Sequence, residues 1–174
     1  LSVAIYVVRS AEPITPLEFV GSIRPVSTED HVIGNPDAPV VIVLYSDIDC
    51  AYCKDFQATL TQLMSEYAEG GKIAWVYRHF PVINIHPYAA EHAEAAECVA
   101  ELGGNSLFFS FIDILQQTAP GNNEFHPDGY RSVVESLGLS VEAFEECQKS
   151  NLHVEHVTLD FENAVDAGGE GAPY

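Results

Sequence analysis

Cys50 and Cys53 stand in a Cys-Ala-Tyr-Cys run within the segment Asp47–Lys54. Side chains three positions apart share a helix face, so two sulfurs at this spacing can close a small disulfide ring. A helix starting at Cys50 would present unpaired N–H groups and its positive dipole end to that sulfur, which stabilises a thiolate. This divides the labour: Cys50 attacks or is attacked, and Cys53, heading an apolar stripe, is shielded and resolves the mixed disulfide. The competing chemistry is half a zinc site, but structural zinc takes four ligands. The other cysteines, Cys98 and Cys147, have 48 residues between them, and His153 and His156 belong to a late helix. Dithiol redox chemistry is therefore expected, with no metal.

Such a pair must be held at the end of a strand. Val40 to Tyr45 is six apolar, mostly β-branched residues between turn signals, a buried strand of a parallel or mixed sheet. Cys53, Phe56, Leu60, Leu63, Met64 and Tyr67 then recur at helical spacing, and Gly70-Gly71 ends the helix. Lys72 to Phe80 reads as a second strand closed by Pro81, which completes a βαβ unit. Before it, residues 10–38 form an irregular lead-in, with Ser27–Asp30 capping a helical turn at His31. After it come five predicted helices: Tyr88–Leu102, Leu107–Gln117, Tyr130–Leu137, one capped by Ser140 with Leu139 stapled to Phe144, and Asn151 to about Val165. His92 reads as a helix-face residue. Phe108, Phe109 and Phe111 exceed one buried stripe, so they either fill the core or line an apolar groove.

The 174 residues fit one domain or one domain with a large insertion. At 47 % hydrophobic and 19 % charged residues, the chain is no disordered tail, coiled coil or collagen-like fibre. The formal charge of -19 argues against nucleic acid and anionic lipid as partners. An even number of cysteines suits an oxidising compartment. The apolar run Leu1–Val8 is too short to span a bilayer, which needs about 20 residues. It reads equally as a first strand, a frayed end, or the remnant of a signal or membrane-anchor segment.

In order along the chain, Asp30-His31, Gly34-Asn35-Pro36, Ala38-Pro39-Val40, Tyr45-Ser46-Asp47, the Cys50–Cys53 run, Arg78-His79-Phe80-Pro81, His86-Pro87 and Ala89 through Cys98 resemble the DsbA-like thiol–disulfide oxidoreductases. The resemblance covers about residues 25–174 and implies an α/β thioredoxin-like fold with a helical insertion domain. Residues 1–24 are then a lead-in and 25–83 the first thioredoxin-like part. Residues 84–165 are the helical insertion, and 166–174 begin the second thioredoxin-like part. The resemblance makes Cys50 the exposed nucleophile, Cys53 its buried partner, and Pro173 a cis-proline facing them. The backbone of Ala172 and the side chain of Tyr52 are then substrate-binding. It also places His79 and His86 near the site, although a structural role suits them equally. Cys98 and Cys147 match a second, non-catalytic disulfide, the alternative being two buried free thiols.

Three positions depart from the family pattern. Ala51 replaces a proline at the helix start, where a fixed φ would help. Tyr52 replaces a histidine and brings no positive charge. Leu44 stands where many relatives keep a buried acid, a role Asp47 is near enough to share, although Asp47 and Asp49 equally fit helix N-capping. Lys54 and the helix start favour a Cys50 thiolate, while Asp47, Asp49 and Asp55 oppose it. The Cys50 pKa is thus expected below that of free cysteine.

The resemblance implies an exocytoplasmic enzyme of the periplasm or cell envelope. It would oxidise cysteine-containing protein substrates with no cofactor beyond its own disulfide, and a quinone-linked membrane partner would reoxidise it. Disulfide isomerase, reductase and glutathione-linked activities are the enzymatic alternatives; a redox-silent binding module is the non-enzymatic one. Because the fold continues beyond the cis-proline in such proteins, the sequence reads as truncated there. Its open sheet edge is expected to be covered by the N-terminal segment or a neighbouring chain.

Overall fold

The computed structural model describes residues 23–118 and 125–174. The Leu1–Val8 run and nearly all of the 1–24 lead-in lie outside them. Among the described residues the element order is β1 (His31–Gly34), β2 (Val40–Ser46), α1 (Ala51–Tyr67), β3 (Ile73–His79), α2 (Ala89–Gly103), α3 (Asn105–Thr118), a short 3-10 turn at Pro127–Gly129, α4 (Tyr130–Ser136), α5 (Val141–Ser150) and α6 (Val154–Asp166). The strand order is β1-β3-β2. β2 runs parallel to β3, with Val40 opposite Ile73 and Ser46 opposite His79. β1 runs antiparallel to β3, with His31 opposite Tyr77.

Both faces of the sheet are covered, which is why β3 is buried at every position and its sequence lacks a clean alternation. On one face Leu44, Trp75 and Tyr77 join Leu60 and Met64 of α1 and Phe108 and Phe109 of α3. Trp75 meets Phe109 at 5.3 Å between ring centroids. On the other face Tyr45 and Phe80 pack with Ala164 of α6, and Phe80 stacks on Phe161 at 4.9 Å. α6 therefore lies against the sheet as well as against α2. Phe108, Phe109 and Phe111 are all core residues, which overturns the apolar-groove reading. Burying each ring contributes about 1.5–3 kcal/mol.

Three further expectations need correction. No helical turn forms at His31. The Asp30 carboxylate accepts from the Ser27 N–H at 2.7 Å to close a turn, and a strand starts instead, because the His31 ring stacks on Phe108 with centroids 3.5 Å apart. The α1 stripe is narrower than its sequence period: Cys53, Gln57, Leu60 and Met64 are buried, whereas Phe56 and Tyr67 are exposed. The Gln57 amide donates to Asp113 at 2.7 Å, a polar contact between α1 and α3 that hydrophobic patterning misses. At the β2 edge, neither the lead-in nor a second chain is needed at Tyr45. Tyr45 and Tyr174 exchange both backbone hydrogen bonds, at 2.9 and 3.0 Å, while Arg24 of the lead-in reaches α6 through Asp160.

Gly34 is required by geometry: its φ is +97°, and a Cβ there would stand 2.7 Å from the carbonyl oxygen of Ile73. At α5, Ser140 accepts from the Ala143 N–H at 3.2 Å as an N-cap. Cys98 on α2 and Cys147 on α5 are joined in a disulfide, with Cα atoms 5.8 Å apart.

Candidate active site

β2 ends at Ser46, and after four intervening residues α1 begins at Ala51. Cys50 is the N-cap residue, with φ -77° and ψ 119° and no side-chain cap. Its sulfur therefore sits where the first helical N–H groups are unpaired. The helix starts at Ala51 without the proline, so that substitution has not displaced the helix start. Cys53, one turn on, is fully buried, and the Asp47 N–H points at its sulfur from 3.5 Å.

Cys50 is less open than an exposed nucleophile, at 7 % exposure. The reason is the loop before Tyr174. The Ala172–Pro173 peptide bond is cis, and the Ala172 carbonyl accepts from the Cys50 thiol at 3.5 Å. What access remains is through a cleft of about 350 Å³ whose walls include Tyr52, Ile85, His86 and Ala172. Tyr52 stands out at 77 % exposure, and Ile83 and Ile85 are also exposed.

Both cysteines are in the free state, and their acidities diverge. A hydrogen bond from the Cys53 thiol, with further ones from the Cys53 and Tyr52 N–H groups, outweighs burial and the Asp47 charge and brings the Cys50 pKa down to about 6. Sharing that proton and lying deeper push the Cys53 thiol well up. The Lys54 ammonium donates to the Gln116 carbonyl at 2.7 Å, tying α1 to α3. Thiolate is the reactive form. The reduced chain is accordingly expected to attack a small disulfide at a rate that levels off above about pH 6 and falls about tenfold per unit below it. Stopped-flow rates across pH check this; a midpoint near the free-cysteine value of about 8.5 would contradict it.

Neither aspartate caps α1. The Asp47 carboxylate is buried and accepts from the Asp49 N–H at 2.8 Å and the Val82 N–H at 2.7 Å. It also meets His86 Nδ1 at 2.9 Å. Burial lowers the His86 pKa, but the Asp47 hydrogen bond and charge, with Asp49 and Cys50 behind them, outweigh it and raise the pKa overall. A protonated His86 offsets part of the Asp47 charge at the cysteine pair. Asp49 pairs with His92 Nδ1 at 2.9 Å. His92 lies on the buried face of α2, a helix-face residue with a buried carboxylate opposite it in place of solvent. His79 is structural, its Nε2 2.9 Å from Glu97, which also meets His31 at 3.0 Å.

The structure thus brings Cys50, Tyr52 and Ala172 to one cleft with Cys53 beneath, and Pro173 in the adjoining cis bond. Cys98 and Cys147 lie apart from this site, between α2 and α5. Ile83 and Ile85 carried no sequence signal, since they stand outside any periodic element.

A family description of thioredoxin matches residues 26–173. The fold superimposes on DsbA2 of Pseudomonas aeruginosa with a TM-score of 0.69 at 26 % identity, covering 83 % of this chain and 77 % of that one. It superimposes on oxidised BdbD of Bacillus subtilis with a TM-score of 0.75 at 20 % identity, covering 88 % of this chain and 83 % of that one, a likeness of fold. Among curated proteins, the Na(+)/H(+) antiporter NhaA 3 of Salinispora tropica is 31 % identical over 144 residues, 83 % of this chain and 21 % of that protein. The NhaA antiporter of Herminiimonas arsenicoxydans is 31 % identical over 150 residues, 86 % of this chain and 22 % of that protein. The chain spans about a fifth of the length of these curated relatives.

Proposed function

We propose that this chain, which belongs to the thioredoxin family, is a thiol–disulfide oxidoreductase of the DsbA type that acts as an oxidant of other proteins' cysteines. The observation that carries the reading is the Cys50 sulfur: it combines a depressed pKa of about 6 with a place at the cleft beside Ala172. A stabilised thiolate is a good leaving group and favours the reduced chain, so the oxidised chain gives its disulfide away.

A client thiolate attacks Cys50 Sγ in the Cys50–Cys53 disulfide, and Cys53 leaves and takes up a proton. A second client thiolate then attacks the client sulfur of the mixed disulfide. The client disulfide forms, Cys50 leaves as thiolate, and two electrons have moved to the chain. The Ala172 carbonyl, turned toward Cys50, supplies an acceptor for an extended client backbone. Exposed Tyr52, Ile83 and Ile85 supply apolar contact without demanding a client sequence. The two sulfurs are the whole redox centre, and a quinone-linked membrane protein is the proposed reoxidant.

An oxidant of this type belongs on the exocytoplasmic side, in the periplasm or cell envelope. Among the described residues no helix is long and apolar enough to cross a membrane. The matched relatives are named as antiporters and are several times longer, which supports attachment of such a unit to a membrane protein. The test is oxidative folding. The oxidised chain, added to a reduced, unfolded disulfide protein, is expected to yield client disulfides with one chain reduced per bond formed. Free client thiols that persist beside oxidised chain would contradict the reading.

A further inference from the structure

Cys98, Cys147 and His153 bring three metal-ligating atoms to within 4.8 Å of one another, well away from the cleft. Glu101 completes the group: its Oε2 lies 3.0 Å from His153 Nε2 and 3.5 Å from Cys147 Sγ. The geometry points to a second, redox-gated site. We propose that reduction of the Cys98–Cys147 disulfide creates a tetrahedral Zn²⁺ site formed by Cys98, Cys147, His153 and Glu101.

The spacing fits the metal. Zinc bonds of about 2.3 Å to sulfur and 2.0–2.2 Å to nitrogen or oxygen give tetrahedral edges of roughly 3.3–3.8 Å. The His153–Glu101 and Cys147–Glu101 separations are already within about 0.3 Å of such edges. The two sulfurs must move apart, and with Cα atoms 5.8 Å apart side-chain rotation can separate them. Cys98 and Glu101 are three positions apart on α2 and so share a face. Cys147 comes from α5, and His153 is the N-cap residue of α6. Three helices are thus held together with or without the sulfur–sulfur bond. Cys98 is buried while the Glu101 side chain is 47 % exposed, which leaves the ion a route in. Two thiolates, one imidazole and one carboxylate form a borderline-soft donor set that suits zinc over calcium or magnesium. The formal charge of -19 draws cations to the surface.

The chemistry balances with a dithiol as reductant. One thiolate of the dithiol attacks the bridge and its second sulfur displaces the mixed disulfide. Two electrons and two protons pass to Cys98 and Cys147, and the dithiol leaves as its own disulfide. Zn²⁺ then displaces the two thiol protons. The bridge is in this sense one state of a switch between a covalent and a metal staple. By sequence, His153 is a candidate ligand for the Cys50 pair; the structure sets it beside the other pair.

The test uses the full chain carrying Cys50→Ser and Cys53→Ser, so that the cleft thiols cannot bind metal. After reduction with a phosphine, Zn²⁺ is titrated calorimetrically, Co²⁺ serves as optical probe, and circular dichroism is recorded on the same samples. The expected result is one Zn²⁺ per chain and tetrahedral cobalt bands with thiolate charge transfer. The unreduced chain should bind none. Further replacement of Cys98 and Cys147 by serine should abolish binding, and His153→Ala should weaken it at least about tenfold. Binding unaffected by His153→Ala would overturn the proposal, whether the reduced chain is folded or not. So would octahedral cobalt, or equal affinity before and after reduction.

Discussion

Replacing Cys50 by serine is expected to reduce thiol–disulfide exchange by roughly 10³-fold or more, because the group that forms the mixed disulfide is gone. Cys53→Ser should fail differently. Cys50 remains and still attacks a client disulfide, but Cys53 can no longer displace the client from the mixed disulfide, so a covalent chain–client adduct should accumulate and be visible in the intact mass. Cys53→Ala removes the donor whose hydrogen bond is the largest influence lowering the Cys50 pKa and puts no hydroxyl in its place, so in that variant the pKa should rise. These two outcomes separate the roles: a shared, symmetric role would give two equally inert variants and no adduct. Retained exchange in Cys50→Ser would refute the assignment outright.

The largest stability effect is expected at Arg78. Its side chain is fully buried, as is the Asp30 carboxylate it meets. The guanidinium grips that carboxylate with two bonds, at 2.7 Å and 3.1 Å. It also donates to the Tyr45 hydroxyl at 2.9 Å and the Pro25 carbonyl at 3.2 Å. β2, through Tyr45, and the segment before β1, through Pro25 and Asp30, converge on this one cation of β3. Burial pushes the Asp30 carboxyl up, but the Arg78 and Ser27 hydrogen bonds and the Arg78 and Arg24 charges bring it below its ordinary value. Arg78→Ala leaves that carboxylate buried with the Ser27 N–H and, as its remaining cation among the described residues, Arg24 at 3.4 Å. The expected cost is about 3–5 kcal/mol in denaturant unfolding at neutral pH. Adding Asp30→Ala should cost much less than the sum of the two single changes, because the stranded charge is then absent. A loss under about 1 kcal/mol for Arg78→Ala would mean that the network is surface-like in strength. The sign with pH follows from the lowered Asp30 pKa: its contribution is present above the unfolded value and lost as pH falls through the folded one.

The parts legible in the sequence were those written in local pattern. The β-branched run Val40–Tyr45, the α1 and α2 periods and the glycine ends place βαβ and the following helices, because each needs only its neighbours along the chain. The Cys-x-x-Cys run at a strand–helix junction locates the candidate site for the same reason. What failed to show was polar and long-range. Asp47 and Asp49 look like caps because the segment is short and acidic; that they instead meet His86 and His92 depends on residues some 40 positions on. His92 reads only as a helix-face residue, because a histidine gives no sign of a buried carboxylate opposite it. β1 is four residues with a histidine first and a glycine last, too short for any period. It exists through β3 and through the Phe108 ring under His31. The Asp30-His31 and Arg78-His79 dipeptides, known from the sequence only as parts of a resemblance, turn out to join the lead-in to the sheet and α2 through Arg78–Asp30 and Glu97.

The central claim is that the Cys50–Cys53 pair is an oxidant, and its equilibrium with glutathione tests that most directly. The chain is incubated at pH 7 over a range of reduced-to-oxidised glutathione ratios, trapped with acid, and its dithiol and disulfide forms are counted by mass after alkylation. A Cys50 thiolate stabilised to a pKa of about 6 predicts a potential clearly more positive than the roughly -270 mV of a reducing thioredoxin. A value at or below about -270 mV, or no cleft disulfide at any ratio, would contradict the account.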